Sequence, residues 1–148
     1  MSTSLLDVTA GLRACLFTVS GVTFALDVRS AREMAVFEAI TPVPRAPAAV
    51  LGVANLRGDV VPIVDARARL GLPVRALSRP LRALVVAGDG SEIALVIDGV
   101  VGLEAFTEVT PPSEGETAAW AAGTVEHAGQ RVTVLDAAAL ARALRGEE

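Results

Sequence analysis

Tyrosine and lysine are absent from this 148-residue chain, and cysteine, histidine and tryptophan occur once each. Each scarcity excludes something. Aromatic residues make up only 3%, too few for a base-stacking surface. The thirteen cations are all arginine and are outnumbered by seventeen carboxylates, for a net charge of −4. No basic field is left for a phosphate backbone, and a nucleic-acid partner is not expected. With Cys15 alone there is no intramolecular disulfide, which fits a reducing compartment. Its neighbours Ala14 and Leu16 supply no base, so it reads as a buried structural thiol and not as a nucleophile. His127, beside Ala128-Gly129, sits where a hairpin turn would expose it. One His and one Cys cannot assemble a zinc site without carboxylates at suitable spacing. P-loop, GxGxxG and GxSxG patterns are all missing. Catalysis therefore lacks its parts, and no enzyme activity, metal or cofactor is expected.

Long apolar runs are missing too. The longest stretch without a charge is Ala14 to Leu26, far short of the ~20 residues a membrane helix needs. The opening Met-Ser-Thr-Ser lacks the basic region of a secretory signal. The expectation is a soluble, cytosolic protein without direct membrane insertion.

What the chain does have is strand pattern, with 52% hydrophobic residues. Cys15, Phe17 and Val19 alternate, Ser20-Gly21 turns, and Val22, Phe24 and Leu26 resume the alternation. Val28 to Glu33 reads as one helical turn and Ala35 to Thr41 as a strand, stopped by Pro42, Pro44 and Pro47. Asp65 is placed to cap a short helix through Leu70, closed by Gly71. Leu72 to Pro80 is a polar connector. Leu81–Ala87 and Ile93–Ile97 flank a turn at Gly88-Asp89-Gly90. Pro111 to Thr117 is a loop, Val132–Leu135 a last strand, and Asp136 caps a final helix to about Arg145. Trp120, among alanines, plugs a core or anchors an interface.

The two halves resemble copies. Phe24-Ala25-Leu26 recurs as Ile93-Ala94-Leu95, and the same 69-residue shift pairs Phe37 with Phe106, Thr41 with Thr110 and Pro42 with Pro111. Gly58, Val61 and Asp65 recur at a shift of 71 as Gly129, Val132 and Asp136. Two copies are too few for a solenoid. They suggest two similar small β-barrels side by side, each followed by a helix.

Val53 to Asp65, VANLRGDVVPIVD, is the most informative stretch. A type II′ turn at Gly58-Asp59 would set Arg57 opposite Val60 and Leu56 opposite Val61. Leu56, Ala54, Val61 and Ile63 then form the core face. Asn55 and Arg57 share the other face with Val53, Val60 and Val64, an apolar surround for one arginine such as a recognition surface requires. A solvated arginine at a loop tip is the competing reading. The second copy has Ala128-Gly129-Gln130-Arg131 where the first has Arg57-Gly58-Asp59-Val60.

The block Val50–Leu70, VLGVANLRGDVVPIVDARARL, resembles the CheW-like adaptors of bacterial chemosensory arrays. So do Phe24–Met34, Ile97–Leu103 and the closing strand and helix, in that order. The resemblance implies a mainly β fold of two SH3-like five-stranded barrels with short helices and a C-terminal helix. It implies a tail over residues 1–11 and one CheW-like domain over 12–145, its halves divided near 72–80. By the same resemblance the chain would be a non-enzymatic adaptor, coupling the cytoplasmic tip of chemoreceptors to the regulatory domain of a CheA-type histidine kinase. It would be a monomer outside the array, without cofactor, and recruited from the cytoplasm to receptor arrays. Asn55, Leu56, Arg57 and Gly58 match the family's partner-facing turn, with Val60 beside it. Gly52 matches a glycine before the turn, Glu33 an acidic residue at the kinase contact, and Val100 and Leu103 positions tied to receptor coupling. Ala31 and Arg32 depart from the usual Val and Gln, which puts the kinase-facing surface in question. Two alternatives stay open: a divergent member of a gliding or pilus pathway that binds receptors but not kinase, and a small-molecule sensor using the inter-barrel groove.

Overall fold

The computed structural model describes residues 11–88, 90–112 and 120–146. The tail expected over 1–11, apart from Gly11, lies outside the described residues, as do Asp89 and most of the loop expected over Pro111–Thr117. The described chain runs β1 (Leu12–Val19), β2 (Val22–Asp27), β3 (Ala31–Phe37), β4 (Val50–Leu56), β5 (Asp59–Val64), β6 (Leu81–Gly88), β7 (Ser91–Val96), β8 (Gly99–Phe106), β9 (Ala121–His127), β10 (Gln130–Leu135) and α1 (Ala137–Leu144). The fold is mainly β, in two five-stranded sheets with a C-terminal helix, as expected.

β1 to β5 recur as β6 to β10, so the repeat read from the sequence is a repeat of strands. The division near 72–80 separates these copies but not the sheets. One sheet has the order β8-β1-β2-β10-β9 and the other β3-β6-β7-β5-β4. Each copy lends strands to both, and the copies meet at four strand pairs: β1–β8 and β3–β6, antiparallel, and β2–β10 and β5–β7, parallel. Each sheet then curls back on itself. Thr41, just past β3, exchanges both backbone hydrogen bonds with Val53 on β4, at 2.8 and 2.9 Å. Thr110, just past β8, does the same with Thr124 on β9. These bridges bring together strands that lie at opposite edges of the sheet order, which protects both edges.

Three cores follow from strand alternation. On β1, Leu12, Ala14 and Leu16 point into one barrel with Val125, Val132 and Val134. Phe37, Ala54, Val61, Ile63 and Leu81 fill the other. The remaining face of β1, with Cys15, Phe17 and Val19, packs between the barrels against Leu84, Ile93, Leu95 and, from α1, Leu140 and Leu144. Strands with one face in a barrel and the other between barrels are buried on both sides, which accounts for runs such as Ala83–Val86. Cys15 is buried there, and burial raises its thiol pKa. Half-buried Trp120 packs on the same core. Asp136 caps α1, accepting the Ala139 N–H at 3.0 Å.

Three local expectations are corrected. Val28 to Glu33 is no helical turn: β3 begins at Ala31 and ends at Phe37, short of Thr41. The Asp27 carboxylate instead takes the Arg29 backbone N–H and guanidinium, at 2.8 to 3.1 Å, and tightens the β2–β3 turn. The helix expected after Asp65 is a single turn, closed by Leu70 N–H to Ala66 O at 2.8 Å. Asp65 binds the Arg67 N–H and guanidinium in the same way as Asp27 binds Arg29. Burial alone would raise the Asp65 pKa; the hydrogen bonds and charge of Arg67 outweigh it and hold the carboxyl below its ordinary value. A self-bonded Asp competes with helix continuation.

Candidate functional site

The β4–β5 hairpin differs from the expected one in its turn. Leu56 faces Asp59, Asn55 faces Val60 and Ala54 faces Val61, so the two turn residues are Arg57 and Gly58, with φ of +51° and +93°. Positive φ at both positions is the type I′ turn, whose twist suits a hairpin. Glycine carries the second position without strain, and the Asn55 side chain steadies the turn by accepting the Gly58 N–H at 3.0 Å. The pairing shifts by two residues, so the faces survive. Ala54, Val61 and Ile63 are buried, and Leu56 is half-buried at the end of the same core. Val64 is the exception on the other face. At the far end of β5 it lies under the second sheet, fully buried between the barrels.

Arg57 reaches Glu33, on β3, and grips it with both terminal nitrogens; the Nη1–Oε1 bond is 2.7 Å and Nη2 donates to Oε2. Sequence reading chose both residues but did not place them together. β3 and β4 stand at opposite edges of the sheet order, and only the Thr41–Val53 closure makes them neighbours. Glu33 shares the inward face of β3 with Ala35 and Phe37, so the pair lies across the end of the barrel core. Its two halves differ in exposure: the Glu33 side chain is 28% exposed and that of Arg57 70%. Two of Arg57's five N–H donors serve Glu33, leaving a fork edge open to solvent.

Exposed apolar side chains stand on the strands that carry the pair. Val60 is 69% exposed, and Met34 and Val36, on the outward face of β3, are about half exposed. The last two were missed from sequence. Their signal was the alternation Arg32, Met34, Val36, hidden because the strand was read as starting at Ala35. Val100 and Leu103 are exposed on β8, as is Val101 between them, but they belong to the other sheet, and no hydrogen bond or ion pair joins them to Arg57 or Glu33. Gly52 does not lie at the surface. It is buried beneath the closing segment, where an added Cβ would meet Thr41 O at 2.5 Å and Ile40 Cγ2 at 2.9 Å. Its lack of a side chain serves barrel closure.

The second copy has the same backbone without the pair. Register places Gly102 at the Glu33 position and Ala128 at the Arg57 position, and Ala128 has the same φ of +51°. The turn therefore does not need the arginine. Among the described residues no cluster of three His, Cys, Asp or Glu could hold a metal, and no helix is long and apolar enough to cross a membrane.

Residues 13–145 match the CheW-like domain family model. The chain belongs to the CheW-like family. It is 38% identical over 92 residues to the chemotaxis protein CheW of Rhizobium meliloti, covering 61% of this chain and 58% of that one. With CheW of Bacillus subtilis it shares 29% over 92 residues, covering 62% and 59%. With FrzA of Myxococcus xanthus it shares 34% over 90 residues, covering 54% and 51%. The chain thus spans less than two thirds of the length of these curated relatives. Among solved structures, the scaffolding protein TtCheW of Thermoanaerobacter tengcongensis superimposes with a TM-score of 0.79 at 24% identity, covering 88% of this chain and 92% of that one. That likeness shows the CheW fold.

Proposed function

We propose that this chain is a non-enzymatic adaptor that couples chemoreceptors to a CheA-type histidine kinase, working in the cytoplasm at membrane-associated receptor arrays. The observation that carries the reading is the Glu33–Arg57 pair. It is held across the barrel closure, bordered by exposed Val60, Met34 and Val36, and present in only one of two otherwise matching barrels. An arginine fixed at one edge and free at the other presents donors without losing much side-chain freedom on binding. The valines and Met34 supply area that a partner helix can desolvate. Asn55 and Gly58 shape the turn, Leu56 anchors it to the core, and Val100 and Leu103 provide a separate apolar edge for receptor contact.

A second reading is a divergent CheW-like protein of a gliding or pilus pathway that binds receptors but not kinase. It is favoured by β3 itself, where Arg32 lies 3.9 Å from Glu92 in an ion pair beside Glu33, altering the surface next to the pair. Separate binding assays with a receptor cytoplasmic tip and with the kinase regulatory domain distinguish the two. Binding to both supports the coupling adaptor, binding to the receptor alone supports the second reading, and binding to neither removes both.

A further inference from the structure

The segment joining the two copies, together with β6 that follows it, carries a charge pattern opposite to that of the protein. From Ala66 to Gly88 there are five arginines and no carboxylate, in a chain of net charge −4. Two of the five are engaged: Arg67 with Asp65, and Arg69 with the Ala143 carbonyl. Arg75 and Arg79 make no hydrogen bond or ion pair with any described residue, and Arg82 donates only to the Asp98 carbonyl, at 3.3 Å. The backbone of residues 74–80 is likewise unpaired among the described residues. Val74 and Leu77 stand exposed between the arginines. Depressions of about 390 and 490 Å³ flank the segment, sharing Arg67, Leu77, Arg79 and Leu81 in their walls, with Asp65 lining one and Asp98 the other.

We infer that this connector is a second partner surface, and that its occupant is an acidic, leucine-bearing peptide segment in extended form. Guanidiniums at 75, 79 and 82 form a track and not a pocket, so a row of carboxylates suits them better than one compact anion. The unpaired amides of the connector can bond an extended chain laid beside it, the mode of strand addition. Val74 and Leu77 ask for apolar side chains between the carboxylates. A nucleic acid would find no aromatic side chain along the track and would face a protein that is otherwise strongly acidic. A lipid surface would find two apolar side chains and no amphipathic helix. The track adjoins the surface around the Glu33–Arg57 pair where Arg82 faces Val36 across β6 and β3, but the inference does not depend on the coupling role.

The probe is a labelled synthetic peptide alternating glutamate and leucine, titrated at low salt against the full chain. Its glutamine analogue, a DNA duplex and anionic phospholipid vesicles are titrated alongside. The glutamate peptide should bind and the glutamine analogue should not, with affinity falling as salt rises. The double reversal R75E/R79E should weaken binding about tenfold or more. The charge-matched R13E/R131E, on exposed strand positions elsewhere, should leave it unchanged. Unchanged thermal melting of both variants makes the comparison valid, since all four side chains are exposed. The inference is overturned if the peptide does not bind, if the control pair weakens it equally, or if the duplex or the vesicles bind more tightly than the peptide.

Discussion

Replacing Arg57 with Glu separates recognition from structure, and the ion pair with Glu33 sets the size of both effects. Strand pattern alone would put the stability cost of such a surface change within about half a kilocalorie. The bidentate contact raises that figure, but Arg57 is 70% exposed, so the pair belongs near the top of the range for exposed pairs, about 1 kcal/mol. Setting two carboxylates face to face adds a penalty of similar size, for a total of roughly 1–2 kcal/mol. In a domain of this length that lowers the melting temperature by about 2–8 °C. Partner binding should fall much further. An interfacial charge contact turned repulsive loses roughly 2–4 kcal/mol, about thirtyfold to a thousandfold in affinity. The exchanged pair, Glu33→Arg with Arg57→Glu, restores the attraction within the protein but presents the wrong charge to a partner. Calorimetric melting and receptor-tip binding, measured on the unaltered protein and both variants, form the assay. Melting should recover in the exchanged pair while binding stays weak. Recovery of both would mean that the pair only seals the barrel end, and a loss of melting temperature well beyond 8 °C in the single variant would make Arg57 a structural residue.

Ile63→Ala should cost about 2–5 kcal/mol, because Ile63 is fully buried in the barrel core; half-buried Leu56→Ala should cost less, and denaturant melts showing the reverse order would overturn the register. Gly52→Ala should destabilise by at least about 1–3 kcal/mol, the usual range for overpacking, with earlier amide exchange at Thr41 and Val53 than elsewhere in β4. The pair Asp65–Arg67 should leave a mark on the acid side of the stability profile. Asp65 has a lowered pKa in the folded protein, so its contribution is present above the unfolded carboxyl pKa of about 3.9 and is lost as pH falls through the folded value. Arg67→Leu should cost on the order of 3 kcal/mol at neutral pH and flatten that acid limb in urea melts taken from pH 7 to pH 3.

Alternation was enough to find β1, β2, β6 and β7, since each carries apolar residues at every second position or more. Cap chemistry was enough for α1, where Asp136 and the alanine-rich turn agree. β8 was harder to see, because Val100, Val101 and Leu103 are apolar and yet exposed, which breaks the link between pattern and burial. The turn at Arg57 was misread because glycine was taken as the first turn position, whereas the chain accepts an arginine at positive φ, as it accepts Ala128 in the other copy. Glu33 and Arg57 were both legible as candidates. Their contact was not, because it depends on Thr41 closing the barrel, a long-range pairing that leaves no local signal. Gly52 was legible only through the resemblance, as a glycine before the partner-facing turn; its actual constraint comes from the backbone of Thr41 passing over it.

The exchange of strands between the two copies has a consequence for synthesis. When the ribosome has released only the first copy, β1 and β2 lack β8, β9 and β10, and β3, β4 and β5 lack β6 and β7. Neither barrel can close at that point, although half of the chain is already outside. The first sheet is complete only when β10, the last strand, has emerged. This architecture therefore delays folding of the domain until its last strand has emerged, and it makes a cut within the connector a division into two fragments that can fold only by finding each other.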